Sequence, residues 1–155
     1  MHPTKQSGVV AVELALILPL MLVLCFGITE LGRALYQYNG LVKATRGAVR
    51  YLSTQSVSAE TILATRSLAL CGQRVCASND ELVPGLTLTQ ISTSSSLASV
   101  DGSTVNLVSV TIGSTSGTGV CGTDLSVYCF TSMVPWVVPS FAFGPVSITM
   151  ASQVI

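Results

Sequence analysis

The chain has 155 residues, enough for one modest domain. It is 49% hydrophobic and only 9% charged, against about 25% charged in a typical soluble domain, which points to a membrane protein or a subunit buried in an assembly. Net charge is zero, so no bulk field recruits nucleic acid; the basic residues Lys5, Arg33, Lys43, Arg46, Arg50, Arg66 and Arg74 all precede Val75, and only Asp80, Glu81, Asp101 and Asp124 follow it.

Met1 to Ser7 reads as a polar leader whose one firm positive charge is Lys5. Val9 to Ile28 is an apolar run interrupted only by Glu13. At about 1.5 Å per residue it spans roughly 30 Å, one hydrocarbon core. A secretory signal peptide has a shorter apolar region, about 7 to 15 residues, followed by a small-x-small cleavage site. This run continues into Thr29-Glu30-Leu31-Gly32-Arg33, which offers no such site, so it reads as an anchor. Glu13 is its most informative residue, because a carboxylate inside a membrane segment costs about 2.5–3.5 kcal/mol on insertion scales. Pro19 lies inside the run and is tolerated in a membrane helix where neighbours satisfy the freed carbonyl.

The helical pattern continues beyond the membrane edge. Leu31, Leu35, Tyr38, Val42, Thr45, Val49 and Leu52 are spaced alternately four and three apart, an a/d seam. Arg33, Gln37, Asn39, Lys43, Arg46 and Arg50 fall on other faces. The pattern predicts one continuous helix from about Val9 to Leu52. The seam serves helix–helix packing in an assembly, with part of it used to dock the chain's own sheet.

Ser53 to Ser58 is a polar break. Ser58 is a helix cap, with Glu60 in the first turn; the second helix runs to about Leu70 and ends at Cys71-Gly72. Cys71 to Pro84 reads as a loop. Leu86 to Thr89 alternates like a strand, Thr93 to Ser96 reads as loop, and Asp101-Gly102 as a turn. Asn106 to Ile112 is a strand with Val108, Val110 and Ile112 on one face. Gly113 to Gly119 is a loop, Val127 to Thr131 a short strand, and Val146 to Met150 the last strand. Val134-Pro135-Trp136-Val137-Val138-Pro139 is too proline-rich for a central strand; it is an apolar loop and a contact-surface candidate, with Trp136 expected to pack on the head's own core. The layout is α+β: a long helix, a short helix, then three or four antiparallel strands.

Cys25 sits in the apolar run; Cys71, Cys76, Cys121 and Cys129 lie downstream. Four cysteines beyond a membrane anchor suggest two disulfides and an oxidising compartment. Three connectivities can be drawn. Local pairing, Cys71 with Cys76 and Cys121 with Cys129, is preferred because each closes a short loop; reduced, buried cysteines are the alternative.

Catalytic chemistry finds little support. The single histidine is His2, in the leader, so Cys–His and Ser–His nucleophiles have no base elsewhere. Gly113-Ser114-Thr115-Ser116-Gly117 places threonine where a nucleophile-elbow serine belongs. The cysteine spacings match no compact zinc site. No catalytic residue, metal or cofactor is assigned.

The N-terminus resembles the type IV pilins and pseudopilins, in which a glycine precedes the cleavage point and a glutamate is the fifth residue of the mature chain. Here Gly8 is followed by Val9-Val10-Ala11-Val12 and then Glu13. The wider block, Gly8 to Leu20 with Pro19, Phe26 to Tyr36 with Glu30-Leu31-Gly32-Arg33, and Ala44 to Tyr51 with Arg46-Gly47-Ala48, is similar to TadE-like minor pseudopilins of the tight-adherence (Tad, or Flp) pilus. Leu14 stands where that family often has an aromatic residue.

The resemblance implies a pilin-like fold and a leader, residues 1–8, removed between Gly8 and Val9 by prepilin peptidase. It implies a helix over 9–52, with 9–28 in the inner membrane, and a periplasmic or surface head over 53–155. Glu13 would pair with the N-terminal charge of a neighbouring subunit, and Leu31, Leu35, Tyr38, Val42 and Val49 would pack against other helices. The implied partners are the major Flp pilin, a second minor pseudopilin, the inner-membrane assembly platform and membrane lipid. A function in pilus assembly, adhesion and surface attachment follows from the family. The alternative is a single-pass envelope binding or scaffold module unrelated to pili, using the Trp136 loop.

Overall fold

A single helix, α1 (Ser7–Ser53), dominates the computed structural model of the chain, which describes residues 7–77, 80–114, 120–122 and 124–153. Leader residues 1–6, with His2 and Lys5, and residues 115–119 of the Gly113–Gly119 loop lie outside the described residues. At about 1.5 Å per residue, the 47 residues of α1 reach roughly 70 Å. The helix runs through Pro19 without a break. From Val9 to Leu24 its large apolar side chains are exposed; its C-terminal half is the spine on which the head is built.

The second helix, α2 (Ala59–Cys71), has the caps its sequence predicts. Ser58 is extended, and its hydroxyl accepts the Thr61 N–H at 3.2 Å. Gly72 closes the helix in the left-handed region, φ 76°, donating its N–H to the Leu68 carbonyl at 2.9 Å. The Cys71–Cys76 disulfide then ties the following loop to the end of α2.

Among the described residues, five strands complete the α+β head: β1 (Ile91–Val100), β2 (Ser103–Ile112), β3 (Cys129–Phe130), β4 (Phe141–Ala142) and β5 (Val146–Ala151). β1, β2 and β5 form an antiparallel sheet in that order, and β3 pairs with β4 separately. Asp101 and Gly102, both at positive φ (48° and 78°), make the two-residue turn of the β1–β2 hairpin, with Val100 opposite Ser103. Val108, Val110 and Ile112 of central β2 are buried with Leu41, Ala44, Ala48, Val49 and Leu52 of α1. The end of the chain is fastened to the spine: Gln153 donates its N–H to the Ser53 carbonyl at 2.8 Å.

Two local expectations are corrected. Thr93 to Ser96 is not loop but the middle of β1. Serine has poor strand propensity, yet here its backbone pairs with β2 in full register, and Ser94 and Ser109 hydroxyls meet across the strands at 2.7 Å. Conversely, Leu86 to Thr89 is not a strand; Leu88–Gln90 is a 3-10 turn. The Gln90 side chain folds back to accept the Thr87 N–H at 3.0 Å, a local bond that competes with strand pairing.

Candidate functional site

The candidate functional surface is α1 itself, together with the part of the head that grips it. From Val9 to Leu24 every large apolar side chain is exposed, Leu16 at 74%. No residue of the most apolar 18-residue window is buried, and its mean hydropathy is 2.8. α1 is long and apolar enough to cross a membrane. So large an apolar surface is stable only against lipid or other helices.

Gly8 and Val9 lie in the first turns of α1, and Glu13 follows on the same exposed stretch. Among the described residues the ion pair is that of Arg33 with Glu30, and Glu13 is in none.

Where the apolar stretch ends, the head closes on the helix. Glu30 is only 5% exposed. It accepts one hydrogen bond from Arg33 Nη2 at 2.8 Å and another from the Met133 N–H at 3.1 Å. The same Arg33 nitrogen donates to the Thr131 carbonyl at 2.6 Å, and the guanidinium lies 4.6 Å over the Phe130 ring. Two residues one turn apart on α1 thus hold both sides of the segment leaving β3. A turn further on, the Tyr128 hydroxyl lies 2.9 Å from the Pro84 carbonyl and 3.2 Å from Gln37 Oε1, donating to these acceptors. Burial pushes the Tyr128 phenol up to about 12, with the positive charge of Arg33 opposing. Phe143 stacks on Tyr128 at 5.7 Å and meets Tyr38 at 5.8 Å.

The a/d seam divides in two. Its C-terminal members Thr45, Val49 and Leu52 are inside the chain's own core, and Val42 packs partly against it. Leu31 and Leu35 are exposed, and Tyr38 is exposed apart from its contact with Phe143. In the N-terminal half of the seam the head uses the neighbouring row instead: Glu30, Ala34, Gln37, Leu41, Ala44 and Ala48 are buried. A shift of one residue is about 100° around a helix, so the head and the exposed Leu31–Leu35 row occupy different faces.

The row was hidden from periodicity because Glu30 and Gln37 are polar and Ala34 is small. Arg33 lies off the a/d seam, as its spacing predicts, and reaches under the head to Thr131 and Phe130. A signal was available: an acid and a base three apart beside a membrane edge are placed to pair on one helix face.

The cysteines form Cys71–Cys76 and Cys121–Cys129 disulfides, each with Cα atoms 5.8 Å apart. Cys25 is free and exposed on α1. Trp136 does not pack on the head core; it is 70% exposed and its ring meets Phe26 of α1. Among the described residues, no three metal-ligating side chains come together.

The chain matches no curated protein and no solved structure. The family model described as TadE-like protein matches residues 8–50. That segment begins at Gly8, takes in Glu13, the Glu30–Arg33 clamp and both helical rows as far as Val49, and stops at Arg50, short of the rest of the head. In this N-terminal helix the chain carries the signature of the TadE-like proteins.

Proposed function

We propose that the protein is a minor pseudopilin that serves assembly of a Tad (Flp) pilus as a structural subunit rather than a catalyst, and through it adhesion and surface attachment. In this reading prepilin peptidase removes residues 1–8 at the cytoplasmic face of the inner membrane. Residues 9–28 span the bilayer, and the head over 53–155 faces the periplasm, where its disulfides persist. Major Flp pilin, a second minor pseudopilin and the assembly platform then engage the exposed helix, with the Leu31–Leu35 row extending that contact beyond the lipid.

The observation that carries this reading is Glu13: an acid in no ion pair among the described residues, five residues after Gly8, on an exposed apolar helix. Release of Val9 creates an amino group, and an unpaired charge of either sign is costly in low dielectric. Pairing Glu13 of one subunit with the amino terminus of the next removes both penalties and fixes the axial register. The test is a Glu13→Ala chain expressed in piliated cells lacking the wild-type copy. Cleavage is expected to proceed and piliation to fail. Normal piliation with Glu13→Ala present at wild-type level contradicts the charge-partner role.

A further inference from the structure

The loop between β3 and β4 runs from the Glu30–Arg33 clamp back along α1 toward the apolar stretch. Trp136 meets Phe26 edge-on, ring centroids 6.4 Å apart, and a Cβ on Gly27 would touch Val137 at 3.8 Å. The loop is a fixed turn: the Val137 and Val138 N–H groups both donate to the Val134 carbonyl, at 3.0 and 3.1 Å, and Met133 is held by Glu30. Yet its large apolar side chains are directed outward, Trp136 at 70% and Met133 at 76% exposure.

Phe26 is two residues before Ile28, the end of the apolar run, about 3 Å along the axis. If Val9–Ile28 fills the hydrocarbon core, the Trp136 ring lies at its outer boundary. An indole, apolar in body with one N–H donor, is favoured at that depth. From Leu125 to the end the sequence has no Asp, Glu, Lys or Arg, so the loop carries no charge into the interface.

We infer that the Met133–Val138 loop is a membrane-interface anchor, with Trp136 and Met133 inserted at the outer headgroup boundary to hold the head against the bilayer. It rests on the reading that α1 crosses the membrane. A lipid surface suits the loop better than a partner helix, because the loop continues the side of α1 that the head covers, away from the Leu31–Leu35 row. The clamp acquires a purpose: it sets the depth of the loop relative to the span.

Trp136 is the only tryptophan and Cys25 the only cysteine outside a disulfide, so wild-type protein in phosphatidylcholine vesicles suffices. Trp136 emission should be quenched several-fold more by lipids brominated near the headgroup end of the acyl chain than by lipids brominated near its methyl end. Iodide quenching should fall several-fold below that of free tryptophan amide. In parallel, a membrane-impermeant maleimide should leave Cys25 unlabelled. Protected Cys25 with iodide-accessible Trp136, unquenched by brominated lipid, overturns the anchor while the span stands. Labelling of Cys25 together with exposure of Trp136 overturns both.

Discussion

Replacing Arg33 with alanine should loosen the head from its spine. The change removes the 2.8 Å pair with Glu30, the donor to the Thr131 carbonyl, and the cation over Phe130. Glu30, 5% exposed in the intact clamp, keeps the Met133 N–H as its donor. Removing one partner of a buried pair costs about 3–5 kcal/mol. Arg33 keeps 30% exposure, so water reaches one side of the pair, and a loss of about 2–3 kcal/mol is the better expectation. That is a large share of the roughly 5–15 kcal/mol holding a typical domain. Urea unfolding of the full chain in non-ionic detergent reads it, followed by Trp136 emission and far-ultraviolet circular dichroism. The Trp136 transition should move to lower urea in Arg33→Ala. A double-mutant cycle with Glu30→Gln should give a coupling of about 1–2 kcal/mol. An Arg33→Ala chain within about 0.5 kcal/mol of wild type, or strictly additive mutants, refutes the clamp.

Two glycines of α1 should respond oppositely to alanine. A Cβ on Gly47 meets nothing within 4 Å, so Gly47→Ala should stabilise the isolated chain by about 0.5–1 kcal/mol through helix propensity. A Cβ on Gly40 would come within 2.9 Å of Val83 Cγ2, a buried β-branched side chain with little room to turn, so Gly40→Ala should cancel that gain or destabilise by about 1–2 kcal/mol; equal midpoints for the two variants would contradict this packing. Tyr128 makes a prediction for alkaline pH. With its phenol raised from 10.0 to about 12 in the folded chain, it is neutral in both states below pH 10, and its contribution is complete there. From pH 10 the unfolded chain ionises first, and stability should fall by about 2–3 kcal/mol before levelling near pH 12. Tyr128→Phe should flatten that slope; a wild-type unfolding midpoint unchanged from pH 9 to 12 would refute it.

Much of the frame was legible from residues alone because it depends on local chemistry. The predicted helix of Val9–Leu52 is α1 within two residues at either end. Ser58, Gly72 and the Asp101-Gly102 turn each act through their own backbone neighbourhood. The local disulfide pairing followed from loop length, and the observed bonds agree.

What escaped is what tertiary contacts decide. β1 is a strand because β2 offers it a complete ladder, not because serine prefers one. The row that docks the head is polar or small at Glu30, Ala34 and Gln37, so apolar periodicity marks its neighbour instead. The burial of Glu30 depends on Met133, more than a hundred positions away in the chain, and no spacing rule joins them. The same distance concealed Trp136, whose place beside Phe26 is set by the clamp and by the turn after β3.

The proposed function turns on Gly8–Glu13 being a processed pseudopilin start. Intact mass and N-terminal sequencing of protein extracted from membranes of cells with an active prepilin peptidase test it most directly. The mature chain should begin at Val9, and a Gly8→Leu variant should remain full length. A wild-type chain that retains Met1 in those cells contradicts it.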